Sequence, residues 1–203
     1  MNEATVNYYT NVYADKAPAQ LDWTAGTAEP ELVSMVYEGQ IKAGSKILEL
    51  GCGLGTEAVF LAVRGMNVTA MDLSEEAINV GKNLANLYGT NVNFIQKDLL
   101  ESDLFDEEFD IITDHGCYHH MTEAERETYV SKVTKYLKPN GMFILRCFSD
   151  MIPGGPQPKR ISSDDMIESF HQKFKLEHME RVLSFSTKRY SKPIGWFTIW
   201  YKK

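Results

Sequence analysis

Residues 46–56, with the sequence KILELGCGLGT, constrain the fold of this chain more than any other segment. The mostly apolar run at 47–50 predicts a buried strand, and the residues from Thr56 onward have the composition of a helix. Between them, glycines stand at the alternate positions 51, 53 and 55. Glycine permits a sharp turn and lets a ligand lie against bare backbone, and the following helix offers free N–H groups to a polar ligand. The segment therefore predicts the first half of a nucleotide-binding α/β unit.

From this segment onward, strand-like and helix-like stretches alternate, which predicts a parallel sheet with helices on both faces. The first five predicted strands are 47–50, 67–71, 92–96, 109–113 and 142–148. Two more, near 174–185 and 195–202, are joined by a loop that contains Pro193, and a return of this kind indicates antiparallel pairing. The predicted fold class is α/β: a Rossmann-like, seven-stranded, mostly parallel sheet with an antiparallel C-terminal strand.

Local signals predict where the helices begin. Ser74 is expected to cap the helix after the second strand, Thr122 and Glu125 form a capping box, and Ser163 is expected to cap a short helix. In the helix after Ser74, the residues expected to face inward are Ala77, Val80, Leu84 and Leu87. Proline and glycine residues between 149 and 160 predict a loop.

The length of 203 residues predicts one domain, with an N-terminal segment at 1–28 and the Rossmann-like core at 29–203. Two interpretations of the N-terminal segment stay open. It packs on the domain, or it forms a lid over a ligand with Tyr9, Tyr13 and Trp23 as apolar walls.

Composition narrows the classes of partner. The formal charge of −7 disfavours a nucleic-acid partner, because phosphate backbones are bound by clusters of lysine and arginine. No apolar run approaches the ~20 residues that span a bilayer, and no secretory signal is evident. Three widely spaced cysteines indicate a reducing compartment. We expect a cytoplasmic protein, a monomer, that acts on a small molecule without a membrane or nucleic-acid partner.

The spacing of the glycines bears on the cofactor. Dinucleotide sites favour G-x-G-x-x-G, whereas here the pattern is G-x-G-x-G, and Thr56 stands where the dinucleotide pattern has its third glycine. Asp72 and Asp98 follow the second and third predicted strands. Ligands of open α/β sheets bind at the carboxyl ends of the strands, and an acid after the second strand is well placed to accept hydrogen bonds from ribose hydroxyls.

These motifs resemble those of the class I S-adenosylmethionine-dependent methyltransferases. The segments Asp22-Trp23, DHGCYHHM at 114–121 and Cys147-Phe-Ser149 resemble the small-molecule branch, which includes thiopurine S-methyltransferase and the thiol and tellurite methyltransferases. The resemblance implies that S-adenosyl-L-methionine is the cofactor. It implies that Asp72 binds the ribose and that Asp98 reaches the adenine amine. The full set of cofactor-binding residues that it implies is Trp23, Glu49, Gly51, Cys52, Gly53, Gly55, Asp72, Leu73, Ser74, Asp98, Leu99 and Asp114.

Each of these residues also has a purely structural interpretation. The glycines could form a plain strand–helix turn, and Asp72 could cap a helix. Asp98 could be an ordinary loop charge, and Trp23 could pack in the core.

Histidines crowd the segment after the fourth strand, beside Asp114. His119 or His120 could act as a general base, or the histidines could shape the pocket. The spacing does not favour a metal site, and no metal is expected. The candidate catalytic residues are Asp114, His119 and His120. The segment also lacks the Asn/Asp-Pro-Pro-aromatic turn of amino-methyltransferases that act on nucleobases.

The predicted function is methyl transfer from S-adenosylmethionine to a small molecule, with a thiol or another soft nucleophile as acceptor. Soft acceptors need little help beyond orientation, and a nearby cation is enough to favour a thiolate. Arg160, or Arg146 if it faces the pocket, could hold an anionic substrate. The candidate substrate-binding residues are Tyr9, Tyr13, Tyr118 and Arg160. The alternatives are a non-catalytic S-adenosylmethionine-binding protein and a nicotinamide-dependent oxidoreductase.

Overall fold

The computed structural model describes residues 1–24, 26–101, 104–106, 108–152, 159–183 and 194–203. The helices are α1 (Glu3–Asp15), α2 (Pro30–Tyr37), α3 (Thr56–Val63), α4 (Glu75–Leu87), α5 (Glu123–Tyr136) and α6 (Ser163–Phe170). The strands are β1 (Lys46–Leu50), β2 (Asn67–Asp72), β3 (Asn93–Gln96), β4 (Phe109–His115), β5 (Leu137–Phe148), β6 (Phe174–Leu183) and β7 (Ile194–Lys202). Two short 3₁₀ helices lie at Pro18–Gln20 and Tyr118–His120.

The seven strands form one sheet in the order β3-β2-β1-β4-β5-β7-β6. Strands β1 to β5 pair in parallel, and β7 runs antiparallel to both of its neighbours. The predicted fold class is therefore confirmed. The strand order reverses between β1 and β4, and a reversal of this kind opens a crevice at the carboxyl ends of the strands.

Helices cover both faces of the sheet. One apolar core lies between the sheet and helices α2, α3 and α4, with Leu32, Leu61 and Ile78 among its members. The other lies under α5 and α6 and includes Tyr129 and Phe170. Both faces of the central strands are thus removed from water, as a parallel sheet requires.

The helix caps follow the sequence closely. Ser74 accepts a hydrogen bond from the backbone N–H of Ala77, and Thr122 and Glu125 form the expected capping box. Helix α6 is an exception, because its N-cap is Ser162 and not Ser163. Ser162 pairs reciprocally with Asp165, which completes a capping box one residue earlier than expected.

The inward face of α4 differs from the prediction. Ala77 is buried, but Leu87 is 83% exposed, and the other buried positions are Ile78, Gly81 and Ala85. A Cβ at Gly81 would lie 2.6 Å from the ring of Phe94, so the helix presents its small residues to the sheet. The close packing of small residues against Phe94 determines which face of α4 is buried, and the hydrophobic pattern of the sequence does not predict that face.

Strand β5 begins five residues earlier than expected. Its first residue pairs with Phe109, and the pairing resumes between Ile111 and Met142, so residues 139–141 lie in an irregularity of the strand. Asn140 takes a φ of 58° there. Residues 153–158 of the predicted loop, and Pro193 of the C-terminal loop, lie outside the described residues.

Candidate active site

A cavity of about 1150 Å³ opens at the carboxyl ends of β1, β2, β4 and β5. Pockets for one small ligand usually measure about 300–1,000 Å³, so this cavity has room for a cofactor and a second molecule. Its lining combines the glycine turn, α1, the end of β2 and the segment after β4. Most of the residues implied by the sequence are therefore brought to one place.

The three glycines of the turn serve different needs. Gly51 and Gly53 line the cavity, and a Cβ on them would lie 3.0 Å from the Cβ of Cys117 and 2.8 Å from the hydroxyl of Tyr13. Gly55 does not line the cavity. It is the N-cap of α3 with a φ of 72°, and a Cβ there would meet the ring of Phe94 at 2.7 Å. Gly55 thus serves the fold, whereas Gly51 and Gly53 keep the cavity floor open.

Asp72 ends β2 with both carboxylate oxygens held by backbone donors. Oδ2 accepts from Gly53 N–H at 2.8 Å and Oδ1 from Ser74 N–H at 2.9 Å. Burial raises the pKa of Asp72, although these hydrogen bonds oppose the change. Each carboxylate oxygen keeps a second lone pair, and Asp72 and Leu73 line the cavity, so Asp72 can still accept from a ligand.

Three further residues are predicted to bind the cofactor, and one of them lines the cavity. Leu99 lines the cavity. Asp98 does not, and its carboxylate accepts from the Met1 amino group and from Leu100 N–H. Ser74 is buried beneath α4 as its cap and does not line the cavity.

Glu49 is a buried acid with an unsatisfied carboxylate oxygen. The residue is 3% exposed, lines the cavity, and its Oε2 has no hydrogen-bond partner in the described part of the chain. Burial, with Glu57 and Asp72 nearby, raises the pKa of Glu49 well above its usual range. A buried carboxylate of this kind requires a cationic or hydrogen-bonding partner.

A charged network at the same end of the cavity was largely missed from the sequence. His115 lies 3.5 Å from Glu57 and 3.7 Å from Glu29, and Arg146 lies 2.7 Å from Glu29. Burial lowers the pKa of His115, but Glu57 and Glu29 more than reverse this, so the pKa is raised overall. Arg146 also pairs with Glu31, so its charge is already engaged by two carboxylates. The position of Glu57 in the first turn after the glycines was the available signal.

Asp114 and Tyr118, predicted for the site, lie in the interior. Asp114 accepts from the backbone N–H groups of Cys117 and Tyr118 and from the Tyr129 hydroxyl. Burial raises the pKa of Asp114 to about 6 against the effect of these donors. The Tyr118 hydroxyl donates to Ser169 at 2.7 Å. Neither Asp114 nor Tyr118 lines the cavity. This geometry favours a role in shaping the turn after β4.

Both candidate histidines line the cavity and are neutral. His119 stacks on Phe148 at 4.2 Å between ring centroids, and its Nδ1 accepts from Phe148 N–H, while burial lowers its pKa well below the usual range. His120 Nε2 lies 2.6 Å from the Tyr9 hydroxyl, and burial lowers the pKa of His120 to about 4. The single lone pair of the neutral His119 ring is engaged by Phe148 N–H, so of the two histidines His120 is the better placed to accept a proton.

Aromatic side chains from the N-terminal segment form one wall of the cavity. The rings of Tyr9, Tyr13 and Trp23 lie 5.9–6.2 Å apart, and Trp23 Nε1 donates to the Tyr13 hydroxyl. Arg160 does not line the cavity, and its Nε donates to the carbonyl of Ile152. Cys52 lines the cavity as a buried thiol whose pKa burial raises.

Among the residues that the structure describes, no group of three or more histidine, cysteine, aspartate or glutamate side chains is arranged to hold a metal ion. Within the same ranges, no helix has the length and apolar character needed to span a bilayer.

Comparison with known proteins gives consistent similarities. Residues 47–141 match a family model described as a methyltransferase domain. The chain is 29% identical over 153 residues to a 2-heptyl-1-hydroxyquinolin-4(1H)-one methyltransferase of Mycobacteroides abscessus, covering 73% of this chain and 66% of that protein.

Two solved structures are similar over nearly the whole chain. One, from work on the conversion of a disulfide bond into a thioacetal group during echinomycin biosynthesis, has a TM-score of 0.85 at 22% identity and covers 98% of this chain and 92% of that one. The other, a magnesium protoporphyrin IX methyltransferase of Synechocystis with bound S-adenosylhomocysteine, has a TM-score of 0.73 at 16% identity and covers 100% and 96%. The chain is also 30% identical over 109 residues to an uncharacterized methyltransferase of Schizosaccharomyces pombe, covering 54% of this chain and 75% of that protein. With the glycine turn, Asp72 and the crevice between β1 and β4, these sequence similarities show that the chain belongs to the class I S-adenosylmethionine-dependent methyltransferases.

Proposed function

We propose that this enzyme methylates a soft or acidic nucleophile, a thiol or an acidic hydroxyl, on a small and largely apolar molecule. The observation that carries the proposal is the continuity of the cavity. It runs from Glu49 and Asp72 to a second half lined by Tyr9, His120 and Phe148. A flat or aromatic acceptor fits walls of this composition.

The residues of the first half fit the cofactor by their chemistry. Glu49 offers an unsatisfied oxygen to the cofactor's ammonium group, and Asp72 offers free lone pairs to ribose hydroxyls. Gly51 and Gly53 leave room for both. When bound, S-adenosylmethionine supplies an electrophilic methyl group on a sulfonium centre.

The residues of the second half orient the acceptor and handle its proton. The aromatic wall excludes water and restricts the approach of the acceptor, which is the main contribution that a protein makes to such a transfer. A thiol of low pKa enters as a thiolate and needs no base. An acidic hydroxyl gives its proton to His120, whose ring is held by the Tyr9 hydroxyl. The lowered pKa of His120 makes it a weak base, so this route serves acidic hydroxyls and not ordinary alcohols.

The test is transfer of a labelled methyl group from S-adenosylmethionine to a panel of aromatic thiols, hydroxyquinolones and simple phenols. We expect the wild-type enzyme to methylate acidic members of the panel. We expect His120→Gln to leave ionised thiols within about twofold of wild type and to slow hydroxyl acceptors by about 10²-fold or more. Binding of S-adenosylhomocysteine without transfer to any acceptor would favour the non-catalytic alternative. Tight binding of a nicotinamide cofactor instead would favour the oxidoreductase.

Replacing Glu49 should change stability and cofactor binding in opposite directions. Because its pKa is raised on folding, the ionised side chain destabilises the free protein at neutral pH, so we expect Glu49→Gln to raise the melting temperature. We expect the same variant to bind S-adenosylhomocysteine about 10- to 100-fold more weakly by calorimetry, because a charge-assisted hydrogen bond is lost. The exposed Glu180→Gln is the matched control and should change neither quantity. Unchanged affinity in Glu49→Gln would remove Glu49 from the cofactor site.

Several broader features stay predictions from the sequence. We propose a single domain in which residues 1–28 act as a lid, and contacts of Tyr9 and Tyr13 with the cavity support this. We also propose a cytoplasmic monomer without a nucleic-acid partner; the acidic composition supports the last point, and the wide spacing of the three cysteines supports a reducing compartment. Gel filtration and limited proteolysis with and without S-adenosylhomocysteine test the monomer and the lid.

A further inference from the structure

A second, smaller cavity lies beside the active-site cavity. Its volume is about 20 Å³, and its lining comes from α2, the first turn of α3 and strands β4, β5 and β7. Four residues line both cavities and form a wall between them, here called the shared wall: Glu29, Glu57, His115 and Arg146. A cavity of about 10–15 Å³ or more can hold one water molecule, provided that polar groups surround it. The small cavity therefore has the size for a single water.

Thr113 contributes a buried hydroxyl to the small cavity. The residue is 3% exposed, and its Oγ1 has no hydrogen-bond partner among the described residues. The sheet fixes its position, because Thr113 pairs in register with Glu49 on β1 and with Ile144 on β5. Paired residues of neighbouring strands point to the same face of a sheet, so Thr113 lies in the same layer as Glu49. A hydroxyl buried in this way is unfavourable unless it finds a partner.

Arg146 contributes a second unsatisfied group to the same cavity. Its Nη1 pairs with Glu29 and Glu31, and its Nη2 donates to the carbonyl of Leu183 at 2.8 Å. Its charge is therefore balanced, but its Nε has no hydrogen-bond partner in the described ranges, and the residue is 4% exposed. The Nε–H group can only donate, so it needs an acceptor.

Glu29 supplies an acceptor. Its Oε2 lies 2.7 Å from Arg146 Nη1, and this contact is an ion pair without the geometry of a hydrogen bond. Within the part of the chain that the structure describes, this buried oxygen has no hydrogen-bond donor. A donor, a hydroxyl and an acceptor thus belong to residues that line one small cavity. A buried water usually makes about three hydrogen bonds, to groups of these kinds.

The charges around the small cavity favour a neutral ligand. The carboxylates of Glu29, Glu31 and Glu57 disfavour an anion. Arg146 disfavours a cation, because its Nε–H offers no lone pair. Water is neutral and both donates and accepts, so it can satisfy all three unsatisfied atoms.

We propose that the small cavity binds one ordered water molecule. The water accepts a hydrogen bond from Arg146 Nε–H, and it donates to Thr113 Oγ1 and Glu29 Oε2. It links the shared wall to β4 and so keeps Glu29 and Arg146 in place at the active-site cavity. Thr113 is a positioning residue, because it lines the small cavity and not the active-site cavity. The site does not depend on the identity of the methyl acceptor.

A crystal structure at about 1.5 Å resolution or better tests the site directly. We expect one peak of electron density within about 3.2 Å of Thr113 Oγ1, Arg146 Nε and Glu29 Oε2. We expect Thr113→Val, which removes the hydroxyl and keeps the branched shape, to lose this peak. An empty cavity in wild type, a peak with the short contacts of a metal ion, or a peak that persists in Thr113→Val would overturn the site.

Thr198→Val is the matched control. Thr198 is also a buried threonine of the sheet, but its hydroxyl has partners within the protein, since it donates to the carbonyl of Leu145 and accepts from Trp200 Nε1. Thr198 lines neither cavity. We expect this variant to lose stability and to keep the density in the small cavity. Loss of the peak in both variants would show that the water does not depend on Thr113.

The melting temperature of Thr113→Val gives an independent test, because a hydrated and a dry cavity predict opposite signs. If water pairs with Thr113, the variant loses a hydrogen bond, and we expect the melting temperature to fall by about 2–5 °C. If the cavity is dry, the variant replaces an unpaired buried oxygen by a methyl group, and the melting temperature should rise. A rise would overturn the proposal.

Calorimetry tests whether the water supports the active site. We expect Thr113→Val to bind S-adenosylhomocysteine about three- to tenfold more weakly, because the shared wall loses a link to β4. We expect Thr198→Val to bind it like wild type. Unchanged affinity in Thr113→Val would overturn the positioning role. Failure of methyl transfer to every acceptor would count against the proposed function alone, because none of these measurements depends on turnover.

Discussion

Asp72→Ala is expected to weaken the binding of S-adenosylhomocysteine by about 100-fold or more. Two effects combine in this variant. The carboxylate that can accept hydrogen bonds from the ribose is lost, and each charge-assisted bond is worth about 1.5–3 kcal/mol. The same carboxylate holds the N–H groups of Gly53 and Ser74, so its removal also frees the glycine turn. Isothermal titration calorimetry measures the change directly.

Asp110→Ala is the matched control for this prediction. Asp110 belongs to β4 but lies near its start, where it pairs with Lys138 and accepts from Lys46 N–H. The cavity lies at the other end of the strand, so we expect Asp110→Ala to lower stability slightly and to leave cofactor affinity unchanged. If Asp72→Ala binds S-adenosylhomocysteine like wild type, the assignment of Asp72 to the ribose is wrong.

Gly55→Ala is expected to lower the free energy of unfolding by about 2–4 kcal/mol, the largest stability effect that we predict. A non-glycine residue at a φ of 72° is strained, and an added Cβ would also lie 2.7 Å from the Phe94 ring and 3.1 Å from the backbone of Gly81. The ring cannot retreat freely, because Phe94 belongs to the core between β3 and α4. Urea denaturation followed by circular dichroism measures the loss.

Gly39→Ala separates the two contributions. Gly39 has a similar φ of 76°, but nothing lies within 4 Å of its Cβ position. We expect this control to lose only about 1 kcal/mol, the cost of the left-handed backbone. Equal losses in the two variants would show that contact with Phe94 and Gly81 is unimportant.

Local patterns predicted the fold well because strands, caps and turns depend on neighbours in the sequence. The glycine turn, the cap at Ser74 and the capping box at Thr122 all involve residues within a few positions of one another. Burial was harder to predict. Leu87 is exposed because α4 presents Gly81 to Phe94, and that contact joins elements that are separate in sequence.

The same difference between local patterns and long-range contacts applies to the candidate site. Asp72 could be found from the sequence because it ends a strand beside a glycine turn, and parallel strands bring their carboxyl ends to one edge. Asp114 was expected in the site for the same reason. The structure turns its carboxylate inward to Tyr129, a partner fifteen positions away on α5. The position of a residue at the end of a strand does not by itself predict the direction in which its side chain points.

The sequence alone was sufficient for the fold class and for the edge of the sheet where ligands bind, since both follow from spacing along the chain. The cofactor followed from the resemblance of the sequence motifs to a known family. The unsatisfied oxygen of Glu49 and the network of His115 with Glu57 emerged only in three dimensions. The physical reason is that burial and pairing of charge depend on which distant segments meet. The sequence does not show whether a carboxylate or guanidinium is solvated, paired with another residue or available to a ligand.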